Sequence, residues 1–151
     1  MGTKDIRLTD SKFRSKYEAK VAAYLDGHNF QYEYETESFK YHDPIVKGVC
    51  LDCGGKHTAQ VRTYTPDFVL KDATGNVAFF IETKGLFTSE NRTTLLAVRK
   101  DHPDVDVRLL FMRDNKLHKA SPTRYSDWCA KHGFKCAFGE EVPSEWLEEL
   151  C

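Results

Sequence analysis

The sequence lacks an excess of charge of either sign: among 151 residues, 22 Lys and Arg stand against 23 Asp and Glu, for a formal net charge of −1. That excludes a protein coating nucleic acid through overall charge, although it leaves room for a local basic face. Long apolar runs are missing too. Stretches such as residues 78–81 fall far short of a bilayer span, so no membrane partner is expected. No apolar segment follows Met1, and a secretory leader is not expected. Repeats and low-complexity tracts are absent. What is present is material for a core: 40 % of residues are apolar and 13 % aromatic, more than a disordered chain carries. The length suits a single domain, 1–151. Five cysteines without a leader predict a reducing, cytoplasmic setting in which thiols stay free or bind metal.

Near-neutrality conceals polarity along the chain. Residues 1–20 hold six basic side chains against three acidic ones, and residues 108–136 hold seven against Asp114 and Asp127. Two acidic blocks offset them: Glu33, Glu35, Glu37 and Asp43, then Glu140, Glu141, Glu145, Glu148 and Glu149.

The periodicities predict a mixed α/β domain in the order α-β-loop-β-β-α-β-α. Phe13, Tyr17, Val21, Tyr24 and Leu25 recur at helical spacing over 11–28, with Ser11 as a cap. Residues 30–39 alternate aromatic and acidic side chains, as a half-buried strand does. Residues 41–62 read as a loop or small subelement. Strands are predicted over 63–70 and 77–83, joined by an Asp-Ala-Thr-Gly-Asn turn into an antiparallel hairpin. A helix capped by Ser89 runs to about His102, a strand covers 105–112, and 116–119 form a short companion. Ser121-Pro122 reads as a cap and first position of a further helix ending at Gly133. A short strand over 134–138 and a helical turn from Pro143 close the chain.

The hairpin carries the chemistry. Thr65-Pro66-Asp67-Phe68 begins one strand and Ile81-Glu82-Thr83-Lys84 ends the next. Alternation puts Glu82 and Lys84 on one face with Thr83 turned away, and pairing brings Asp67 beside them. Two carboxylates suit a hard cation such as Mg²⁺, which keeps waters and takes phosphate oxygens. A lysine beside them serves a metal-bound water or the charge on an attacked phosphorus. The set predicts metal-assisted phosphodiester hydrolysis. The bland alternative is a turn-capping Asp67 beside an exposed Glu82–Lys84 ion pair. Glu18, at the border of the first helix's apolar stripe, is a fourth candidate, or an ordinary surface glutamate.

At these residues the sequence resembles the endonuclease I family of T-seven-like phages. The matching stretches are Phe13-Arg14-Ser15 with Glu18 following, FQYEYE at 30–35, YTPDFVL at 64–70, IETKGL at 81–86, SPTRY at 121–125 and CAKHGF at 129–134. The resemblance implies a PD-(D/E)xK nuclease fold, restriction-endonuclease-like, with a mixed sheet flanked by helices. It also implies an intertwined, domain-swapped homodimer cutting four-way (Holliday) junctions and other branched DNA in the host cytoplasm. Carried over residue by residue, it makes Glu18, Asp67, Glu82 and Lys84 catalytic. Glu18, Asp67, Glu82 and the Thr83 carbonyl would ligate Mg²⁺ or Mn²⁺, two per site, with Lys84 beside the attacking water. Glu18 would complete the partner's site.

Two departures follow. An inserted bridge over 40–62 contains Cys50 and Cys53, half of a zinc knuckle. His57 and His42 would complete a zinc site locally, two such pairs would share one zinc across a dimer, or the thiols are simply free. The chain also ends in Glu-rich sequence where a basic tail is expected. The DNA-binding candidates are then Arg14, Lys16, Arg92, Arg113, Lys119 and Arg124, with Ser121 at a helix start to receive a phosphate. Two other functions remain open on sequence grounds: a restriction-like nickase of duplex DNA, and a non-catalytic, metal-stabilised DNA-binding module.

Overall fold

The computed structural model describes residues 12–43 and 60–151. Helix α1 (Lys16–Gly27) is followed by strands β1 (Tyr32–Tyr34), β2 (Phe39–His42), β3 (Val61–Tyr64), β4 (Phe68–Lys71) and β5 (Val77–Lys84). Then come α2 (Ser89–Asp101), β6 (Val107–Phe111), α3 (Tyr125–His132), β7 (Cys136–Phe138) and α4 (Ser144–Glu148). Five strands form a mixed sheet in the order β1-β4-β5-β6-β7, while β2 and β3 pair separately. Pairing is antiparallel from β1 to β5 and parallel from β5 to β7. Among the described residues, no helix is long and apolar enough to cross a membrane.

Helices cover both faces of this sheet, and its central strands divide their side chains between the two layers. Phe68, Leu70, Phe79, Ile81 and Leu110 pack with Tyr17, Val21 and Leu25 of α1 and with Trp146 and Leu147 of α4. Val69, Phe80, Val107, Leu109 and Phe111 pack on the other side with Leu95 of α2 and Tyr125, Trp128 and Cys129 of α3. Burial on both faces explains why residues 68–70 of β4 and 109–111 of β6 read as continuous apolar runs rather than alternating ones.

Several boundaries differ from the sequence reading. The first helix begins at Lys16 and is capped by Ser15, not Ser11, through a capping box with Glu18. The strand expected over 30–39 is two strands in different sheets. The strand expected over 63–70 breaks after Tyr64, because Pro66 cannot donate to a ladder. Thr88 rather than Ser89 caps α2. Residues 116–119 supply only a bridge between Lys116 and Arg124. Helix α3 starts at Tyr125, three residues beyond Pro122. The β4–β5 hairpin holds as expected, and Gly133 ends α3 in the left-handed region at φ 72°.

Arg108, counted above with the basic cluster, is buried at 2 % exposure. Its guanidinium lies 3.9 Å from the Phe79 ring centroid and donates to Asp106 and Glu149, tying the end of α4 to the sheet. Asp106 and Glu149 are themselves nearly half-exposed, so losing the arginine strands no buried charge. Arg108→Ala therefore loses stem packing and the cation–π contact, an expected cost of about 2–3 kcal/mol. Glu149→Gln costs under about 1 kcal/mol. Denaturant midpoints at constant m-value measure both, and equal costs would contradict the packing argument.

Candidate active site

Glu18 reaches the site because its helix starts where it does. As the third residue of α1 it folds back on the helix entrance, and its Oε2 accepts from the Arg14 N–H (2.9 Å) and the Ser15 N–H (3.1 Å). The Tyr34 hydroxyl donates to the same oxygen at 2.8 Å. Glu18 is 7 % exposed, so it is not an ordinary surface glutamate. Within this single chain its charge acts on Asp67 and Glu82 of the chain's own hairpin.

The hairpin register supplies the rest. Phe68 pairs with Ile81, so one step further Asp67 stands opposite Glu82 at the end of β5. Asp67 Oδ2 accepts from both the Thr83 N–H and the Thr83 hydroxyl, each at 2.8 Å. Thr83 stays on the face opposite Glu82 and Lys84, as alternation predicts: it pairs with Leu110 of the α1-side layer, while Glu82 and Lys84 pair with Leu109 and Phe111 of the other. Asp67 lies just before β4, where its carboxyl reaches round the strand end. Glu82 Oε1 accepts from the Tyr64 hydroxyl at 2.7 Å, and Lys84 Nζ donates to Glu82 Oε2 at 3.1 Å.

Glu18 and Asp67 each have one oxygen fixed by the protein, while Glu82 has both engaged, Oε1 by Tyr64 and Oε2 by Lys84. Glu18 Oε1 and Asp67 Oδ1 accept nothing from the described residues, and no buried side-chain polar atom among those residues lacks a partner, so both open to solvent. This donor set, carboxylate oxygens with room for water, fits a hard divalent cation. Among the described residues, no three His, Cys, Asp or Glu side chains form a ready-made ligand cluster. That follows from the fold, since Glu18 comes from the α1 layer and Glu82 belongs with Phe80 to the opposite one.

Burial, with the charges of Glu82 and Glu18, pushes the Asp67 carboxyl from its ordinary 3.8 up to about 8, against the Thr83 hydrogen bonds. Burial also raises Glu82, opposed by Lys84 and Tyr64. Between about 4 and 8 the native state then holds more protons than the unfolded chain, so stability falls as pH rises. In chelator, the denaturant midpoint is expected to drop from pH 5 to pH 9, and Asp67→Asn to flatten the slope. A profile that rises with pH over this range would refute the assignment.

The remaining candidates scatter. Arg14 pairs with Glu35 at 2.8 Å, Arg92 donates to the Phe87 carbonyl at 2.8 Å, and Arg124 to the Asp114 carbonyl at 2.9 Å. Ser121 accepts from the Thr123 N–H in a turn before α3, so it heads no helix there. Lys16, Arg113 and Lys119 are exposed and their side chains pair with nothing among the described residues. Arg113 and Lys119 lie in the segment leaving β6, whose Phe111 pairs with Lys84. Cys50, Cys53 and His57 lie outside the described residues, while His42 is engaged with Asp101 at 2.9 Å. Cys129, Cys136 and Cys151 are free thiols.

Of the two tyrosines that hold carboxyls, Tyr34 escaped the sequence reading because alternating aromatics look like core, and Tyr64 because it read as an ordinary strand residue. The Ser15-x-x-Glu18 spacing was a visible signal for the helix start. With this geometry in place, a family model described as phage endonuclease I matches residues 1–151. The chain is 38 % identical over 149 residues to Endonuclease I of Escherichia phage T7, covering 98 % of this chain and 86 % of that protein. It is 38 % identical over 122 residues to Endodeoxyribonuclease 1 of Enterobacteria phage T3, covering 80 % and 68 % respectively.

Proposed function

The chain belongs to the phage endonuclease I family, and from that premise we propose that it is a Mg²⁺- or Mn²⁺-dependent endonuclease resolving four-way and other branched DNA. The observation that carries this reading is that Asp67 stands opposite Glu82 where β4 begins and β5 ends, with Lys84 on Glu82 and with Glu18 close enough for its charge to act on both carboxyls. A Pro-Asp before one strand of a hairpin and a Glu-Thr-Lys ending the next support the PD-(D/E)xK assignment.

Asp67 and Glu82 would hold the cation, with Glu18 and the Thr83 carbonyl completing its protein ligands. Bound there, the cation supplies Lewis acidity to a water and to the phosphate. The chain's own part is orientation: Thr83 fixes Asp67, and the capping box with Tyr34 fixes Glu18. Lys84, its side chain 27 % exposed, keeps its ammonium at the mouth of the site, where it offsets charge building on the phosphate. Lys16, Arg113 and Lys119 are free to meet backbone phosphates. An intertwined homodimer carrying two such sites matches the two-fold symmetry of a four-way junction. The protein would work in the cytoplasm of the infected host.

End-labelled four-way junction and linear duplex of the same sequence, each with Mg²⁺ or with chelator, test the reading. Cation-dependent cuts at the branch, far slower on duplex, are expected. Equal rates on both would make it a duplex nickase, and binding without cutting would make it a binding module. Zinc on Cys50, Cys53 and His57 belongs to the same proposal, and metal analysis of purified protein decides it.

A further inference from the structure

Among the described residues, the small β2–β3 sheet hydrogen-bonds to the active site through Tyr64. Tyr64 ends β3 opposite Phe39, and the Phe39 ring packs on Phe80 of the main sheet at 5.2 Å. From that anchored position the Tyr64 hydroxyl donates to Glu82 Oε1 at 2.7 Å. The three carboxyls differ in how much they depend on such a donor. Glu18 Oε2 has three donors, two of them backbone N–H groups of the helix entrance. Asp67 Oδ2 has two, both from Thr83. Among the described residues Glu82 Oε1 has only Tyr64, and a glutamate has one more side-chain torsion to fix than an aspartate.

Resting on the nuclease reading, we propose that Tyr64 is a positioning residue for the cation site. Its phenol clamps Glu82 Oε1 and so keeps Oε2 turned toward Lys84 and the incoming ion. The bond is charge-assisted, since its acceptor is a carboxylate in the cation-bound state. Packing alone would be served by phenylalanine. The hydroxyl is what distinguishes the two residues, and it ends on Glu82.

The test titrates Mn²⁺ alone into the full-length protein by calorimetry, without DNA. Loss of a partner that orients a ligand typically weakens metal binding roughly 10- to 100-fold. Tyr64→Phe is expected to weaken Mn²⁺ affinity by about tenfold. The variant should still melt within a few degrees of wild type in chelator, because the ring and its contact with the Phe39 strand remain. Half-saturating Mg²⁺ for junction cleavage should rise by the same factor, with the rate at saturating Mg²⁺ within about threefold. Tyr34→Phe should weaken Mn²⁺ binding less than about threefold, since two backbone donors still hold Glu18.

Unchanged Mn²⁺ affinity in Tyr64→Phe overturns the proposal. So does a fall in the saturating rate without a shift in metal dependence. Glu82→Gln separates this failure from that of the nuclease reading. If Glu82→Gln weakens Mn²⁺ binding and Tyr64→Phe does not, only the role of Tyr64 is lost. If neither variant changes it, Glu82 holds no cation and the nuclease site itself is misplaced.

Discussion

Glu82→Gln is expected to slow four-way junction cleavage in Mg²⁺ by at least about 10³-fold, roughly 4 kcal/mol of barrier. The substitution is nearly isosteric, so the core around Phe80 and the β5–β6 pairing are undisturbed. What changes is the charge and the donor pattern at one end of β5. An amide oxygen can still accept from Tyr64, but the NH₂ group then faces the Lys84 ammonium, 3.1 Å away in the native site. Two donors meet where a carboxylate had accepted, and the cation loses a charged ligand. Junction binding, measured in Ca²⁺ or chelator by gel shift, should stay within about tenfold of wild type or tighten, because a negative charge facing phosphate has gone. Asp67→Asn should behave alike: its amide oxygen keeps the two Thr83 hydrogen bonds, and an NH₂ group replaces the oxygen left open to a cation. Cleavage near the wild-type rate by either variant would remove that carboxylate from the chemistry.

The part of this site legible in the sequence is the part built by local rules. Hairpin register follows from strand period and turn chemistry, and it places Asp67 opposite Glu82 without knowledge of the rest of the fold. The break after Tyr64 was also locally encoded, in Pro66, yet β-prone neighbours on both sides masked it. Long-range pairing was not legible. The first acidic block is largely neutralised in the structure. Glu33 meets Lys71 at 2.7 Å and Glu35 meets Arg14, while Asp43 pairs with Arg62. In the second block Glu140 meets Lys20 at 2.9 Å and Glu149 meets Arg108. Partners this distant in sequence become neighbours only once the layers assemble. The same reason hid Tyr64, whose hydroxyl has a meaning only after β3 has docked beside β5. Near-neutrality is thus in part a set of ion pairs between segments distant in sequence.

The largest remaining expected effect concerns which chain supplies Glu18. Residues 12–34 hold to the body of the domain through contacts that an identical second chain could supply equally well. They include the β1–β4 ladder, the Tyr17 hydroxyl on the Gly139 carbonyl at 2.7 Å and the Lys20–Glu140 pair. Burial of Val21, Ala22 and Leu25 is likewise indifferent to the chain of origin. Homodimers of Glu18→Gln and of Glu82→Gln should each be inactive, down by at least about 10³-fold. Co-expressed with different tags and purified as a heterodimer, the two chains distinguish the arrangements. If Glu18 is exchanged between protomers, one site carries both substitutions and the other carries neither. The heterodimer then recovers about half of the wild-type nicking rate while failing to make paired cuts. If Glu18 stays with its own hairpin, each site carries one substitution and the heterodimer is as inactive as its parents. The intertwined dimer proposed for this protein requires recovery, and a silent heterodimer would assign Glu18 to the chain that bears it.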